Sequence, residues 1–164
     1  MRNRTKDLTL LALSVSVAMV LSFIESKIPA FVAIPGIKVG LANVAVIFTL
    51  YKQGVKEAIV VSLVRCVLIS LLFGSVVSLL YSLAGAFLSF TVMIVLKNLT
   101  PLGTPGVSVA GGVCHNIGQI IIASLLLETN VVIYYLPFLI LSGTIAGIAV
   151  GVASSLLIKK VKVR

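Results

Sequence analysis

The stretch VKEAIVVSLVRCVLISLLFGSVVSLLYSLAGAFLSFTVMIVL, residues 55–96, decides the fold. It is two apolar runs, 55–73 and 75–96, with only Gly74 between them and Ser75 opening the second. At about 1.5 Å per helical residue, each run reaches across roughly 30 Å of hydrocarbon. A break that short forces the second run back beside the first. The pair reads as a tight hairpin of membrane-spanning helices.

Working outward, four more apolar segments appear, at 8–25, 39–51, 107–127 and 132–158. The segment at 39–51 is too short to cross alone. It follows the breaker-rich stretch IPAFVAIPGIKVG, residues 28–40, so a short, broken or partly re-entrant helix is expected there. The remaining connections are short: YKQG at 51–54, the proline-containing 97–106, and ETN at 128–130. The expected fold is an all-α membrane protein, one domain over 1–164, with about six transmembrane helices and a short or broken second one. No internal repeat or low-complexity region interrupts it.

The bulk composition agrees. Of 164 residues, 60% are hydrophobic and 10% charged, and the mean hydropathy is +1.25. A soluble domain carries about a quarter charged residues. The net charge of +9 sits at the chain ends and in short loops, without a basic stripe interleaved with aromatics. It reads as topology and not as a nucleic-acid surface. With six spans and the N-terminus inside, the cytoplasmic side holds Arg2, Arg4, Lys6, Lys52, Lys56, Lys97, Lys159, Lys160, Lys162 and Arg164. The outer side holds Lys27 and Lys38. That bias predicts both chain ends in the cytoplasm of a multi-pass cell-membrane protein. The opening residues 1–24 resemble a signal peptide but lack a small-x-small cleavage site, so they read as a retained first helix.

Small residues stripe three segments. Ser75, Ser78, Ser82, Gly85 and Ser89 share a face, as do Gly143, Gly147 and Gly151, and Ser14, Ala18 and Ser22. Such stripes let helices approach closely, either within the bundle or against a partner membrane subunit.

Three elements carry polar chemistry. Arg65 stands ten residues into its segment, near the bilayer midplane. A lone charge there costs from about 3 to more than 10 kcal/mol unless it is paired or wet. It either pairs with Glu25 or anchors an anionic ligand. His115, Asn116 and Gln119 lie in GGVCHNIGQ, residues 111–119, at spacings that share one helix face. They form either an interhelical hydrogen-bond knot or part of a ligand site with Arg65, and the second is favoured because the depths match. In PGIKVGLAN, residues 35–43, Gly36, Gly40 and Asn43 share a face if the stretch is helical. Lys38 either snorkels to the interface or reaches a ligand. With ESKIP, residues 25–29, this stretch forms an expected outer cap, with Glu25 and Lys38 near a cavity mouth.

Other chemistries lack residues. There is no GxxxxGK[ST] loop for ATP hydrolysis. Asp7 is the one aspartate, so paired aspartates holding magnesium for prenyl transfer are missing. No nucleophile, base and orienting group line up. Cys66 and Cys114 form no CxxC and read as small buried groups. With a single histidine, no structural metal site is expected. No cofactor is indicated by these residues.

Together the motifs ESKIP (25–29), PGIKVGLAN (35–43), RCVLISLLFGS (65–75), YSLAGAFLS (81–89) and HNIGQ (115–119) resemble the family labelled heptaprenyl diphosphate synthase component I, also termed the Gx transporter family. The resemblance covers about residues 8–158. That family is similar to the substrate-binding S components of energy-coupling-factor vitamin transporters. The likeness implies six helices, a ligand pocket near the outer face and a helix face that docks on a transport module. It carries Glu25, Pro35, Gly36, Lys38, Gly40, Asn43, Arg65, His115, Asn116 and Gln119 into the candidate site. Some members resemble components of flavin-linked extracellular electron transfer and quinone biosynthesis. Two functions follow as expectations: a solute-binding transport subunit without its own ATPase, or a membrane accessory subunit of isoprenoid-quinone or electron-transfer metabolism. A purely structural scaffold is the third possibility.

Overall fold

Ser75 starts the structure's clearest turn. Its side-chain oxygen accepts from the Ser78 amide at 3.1 Å, capping the following helix. One residue earlier the Gly74 amide closes the preceding helix on Ser70 O at 3.1 Å. The computed structural model describes residues 4–27 and 40–161. It contains α1 (Arg4–Lys27), α2 (Leu41–Lys52), α3 (Val55–Phe73), α4 (Val76–Leu99), α5 (Thr104–Leu127) and α6 (Leu136–Lys160), with a 3-10 turn at Asn130–Tyr135 leading into α6. No strand occurs among the described residues. The hairpin of α3 and α4 and the short α2, 12 residues long, follow the sequence expectation. The fifth helix starts earlier than expected. Pro105 sits in its first turn, where a missing amide hydrogen costs no intrahelical bond.

Among the described residues, four helical stretches are long and apolar enough to cross a membrane: α1, α4, α5 and Asn130–Lys160. This is the make-up of a membrane protein. At 19 residues α3 has the length, but Lys56, Glu57 and Arg65 dilute its apolar character. α2 covers only about 18 Å.

Around the bundle each helix packs on its neighbours in the order α1, α2, α6, α5, α4, α3. The α4–α5–α6 side is the tighter, because glycines line both seams. A Cβ on Gly147 would lie 2.6 Å from Val109 Cα, and one on Gly151 would lie 2.6 Å from Pro105 Cα. Such closeness brings backbones into dispersion contact. On the looser side, polar ties hold α2 in place. Gln53 Nε2 donates to Ser14 Oγ at 2.6 Å. Lys97 Nζ donates to Leu50 O at 2.6 Å and lies 4.9 Å from the centre of the Tyr51 ring. A cation at the last carbonyls of α2 also meets the negative end of its dipole.

Much of each small-residue stripe is turned inward. Ser14, Ala18 and Ser22 are buried, as are Gly85 and Ser89, and Gly143, Gly147 and Gly151. Ser78 and Ser82 are half-buried and Ser75 is exposed.

The core is one-sided. Ala18, Ala45, Leu50, Ala58, Val61, Phe90, Met93 and Val107 pack into an apolar plug around α2. That end of the bundle carries Lys52, Lys56, Lys97, Lys159 and Lys160. Beyond α2's first residue the filling changes from apolar to polar.

Candidate functional site

Because α2 starts inside the bundle, it leaves a space that the longer helices enclose. Gly40, at its start, lies beside Val150, well within α6: a Cβ there would be 3.8 Å from Val150 Cγ2. Gly40 has a left-handed φ of 77°, so the helix does not continue back through it. Of the expected helical face, Gly40 thus lies just outside the helix and Asn43 within it. Gly36 and Lys38, with Pro35, lie outside the described residues.

The Gly40 amide donates to Glu25 Oε1. This bond joins the end of α1 to the start of α2 and brings Glu25 into the bundle, onto a cavity wall shared with Arg65. The cavity is about 80 Å³. A water needs roughly 10–15 Å³, so it has room for several waters or a small polar group. Glu25, Gly40, Asn43, Arg65, His115, Asn116 and Gln119 all line it, and Val46, Ile47 and Met93 form an apolar floor. A second cavity of about 80 Å³ adjoins it, between α1, α3, α4 and α5. Glu25, Arg65, His115 and Gln119 line both; Ser22, Cys66 and Ser82 line the second alone.

Arg65 and Glu25 do not form an ion pair. The guanidinium's contact among the described residues is a long one, Nη2 to Cys66 Sγ at 3.9 Å. Its Nε is buried without a hydrogen-bond partner, as is Ser22 Oγ. An unsatisfied buried donor is expensive, and Nε belongs to a side chain that lines both cavities. Asn116 is in part a structural tie, because its Nδ2 donates to Leu139 O on α6 at 2.6 Å. His115 is placed by a missing side chain: a Cβ on Gly85 would lie 2.8 Å from its ring. In the same way a Cβ on Gly143 would meet Asn116 Nδ2 at 2.9 Å.

Sequence reasoning missed Gly85, Gly143, Ser22 and Ser82 as part of this site. Their signal was present in the small-residue stripes, read there as packing alone. The stripes also make the notches into which the polar side chains fit.

Set against known proteins, the chain matches no curated protein and no solved structure. A family model does match, over residues 14–157, and it spans every described residue of the cavity. The chain belongs to the heptaprenyl diphosphate synthase component I family.

Proposed function

We propose that this protein is a solute-binding subunit of the cell membrane, with six spans, both chain ends in the cytoplasm and its cavity open toward the outer face. The positive-inside bias of the loops supports this orientation. It places the apolar plug toward the cytoplasm. The ligand is a small polar or anionic group held by Arg65, with Asn43, His115 and Gln119 fixing its orientation. The observation that carries the reading is Arg65, without an ion-pair partner among the described residues, on the wall of a cavity it shares with Asn43, His115, Asn116 and Gln119. Nothing in the sequence provides an ATPase, so uphill transport would need an energising partner, as in S components.

The family's name favours a second reading, a non-catalytic membrane component that works with a partner prenyl synthase or redox subunit. Both readings share the cavity and differ in the partner. Gentle purification of the full chain, with mass spectrometry of retained small molecules and co-purifying proteins, tests them together. Arg65→Ala is expected to lose the retained ligand and to stay folded and inserted. Arg65→Lys should rescue poorly, because a point charge does not replace a planar fork. Equal retention by wild type and Arg65→Ala would refute the assigned site. An ATPase-bearing partner would favour the transport reading, and a prenyl synthase the other.

A further inference from the structure

Resting on the solute-binding reading, we infer that the ligand is a small zwitterion, its acidic end on Arg65 and its ammonium end on Glu25. The argument starts from how the chain distributes its few charges. Asp7 and Glu57 sit in the first turns of α1 and α3. Glu128 follows α5 in an exposed turn. Glu25 is therefore the one carboxylate on the cavity walls, and Arg65 is the one described cation there.

These two charges border both cavities and do not neutralise each other. Each also has unused capacity. The Gly40 amide engages one Glu25 oxygen, and the other has no partner among the described residues. Arg65 makes only the long contact to Cys66 among the described residues. A single anion would satisfy Arg65 and add a net negative charge beside Glu25. A single cation would do the reverse. A molecule carrying both charges satisfies both walls and adds no net charge to a low-dielectric interior. The neutral amides of Asn43 and Gln119 complete the lining without changing that balance.

The test is ligand binding by calorimetry to the purified full-length chain in lipid nanodiscs. The probes are glycine, β-alanine and γ-aminobutyrate as zwitterions of increasing charge separation, acetate and inorganic phosphate as anions, and ethylamine as a cation. Expected is binding of at least one zwitterion about tenfold or more tighter than either anion or ethylamine. Glu25→Gln keeps an oxygen for the Gly40 amide, so the fold is retained. It should shift the preference toward acetate by about tenfold, and Arg65→Gln should shift it toward ethylamine. Size-exclusion profiles matching wild type confirm that both variants are folded. If acetate or phosphate binds wild type as well as any zwitterion, and Glu25→Gln leaves the order unchanged, the zwitterion assignment is overturned while a solute site remains. If no probe binds and no small molecule is retained on purification, the solute-binding reading falls with it.

Discussion

Replacing Gly147 with alanine tests the α5–α6 seam that supports the cavity. The added Cβ would stand 2.6 Å from Val109 Cα, 3.0 Å from Ser108 O and 3.1 Å from Val109 N. Carbon atoms prefer separations of about 3.5–4.0 Å, so the helices must part by about 1 Å. Every atom met is helix backbone, which cannot swing aside as a side-chain tip does. Neighbouring contacts resist the same movement, since a Cβ on Gly112 would already be 2.6 Å from Gly143 O. Overpacking costs about 1–3 kcal/mol, and this geometry belongs at the upper end. Alanine's better helix propensity returns up to about 1 kcal/mol. The net loss is about 2 kcal/mol, or roughly a 30-fold fall in the folded-to-unfolded ratio. Reversible unfolding in mixed micelles, followed by circular dichroism, measures it. Gly103→Ala is the control, because its nearest atom is Pro105 Cδ at 3.7 Å, an ordinary contact. A Gly147→Ala protein as stable as wild type would refute the seam as described.

Other outcomes follow from the same structure. Lys97→Met removes the cation from Leu50 O and should cost about 1.5–3 kcal/mol, with partial recovery in Lys97→Arg; an unchanged unfolding midpoint would dismiss the tie. Reporter fusions after residue 164 and at Gly54 should read cytoplasm and one at Glu128 should read outside, and a C-terminal reporter active only outside would end the six-span topology. The purified chain alone should neither elongate prenyl diphosphates nor hydrolyse ATP, and turnover surviving removal of contaminants would overturn its assignment as a binding subunit.

Legibility from sequence followed the range of the forces involved. The α3–α4 hairpin was readable because Gly74 and Ser75 separate two runs each long enough to span. The cavity's cation was readable because a charge ten residues inside an apolar helix needs an explanation wherever the other helices lie. The start of α5 was not: Pro105 breaks a helix interior yet suits a first turn, and local sequence does not tell the two apart. The sequence places Glu25 near the cavity mouth, but the tie that holds it there was not readable. It depends on the amide of Gly40, fifteen residues away, and on α2 beginning beside Val150, an arrangement fixed by tertiary packing. Gly85 was equally opaque, since a glycine stripe looks the same whether it receives a backbone or a histidine ring.

The uneven filling of the bundle has an electrical consequence. With the cavity open to the outer face as proposed, water entering it would carry the outer potential inward to the level of Arg65. Most of the transmembrane voltage then falls across the apolar plug around Leu50, Val61 and Val107. Moving one elementary charge through 100 mV is worth about 2.3 kcal/mol. A charged solute settling on Arg65 crosses little of that field, so its affinity should hardly respond to membrane voltage. The same solute passing the plug would cross nearly all of it.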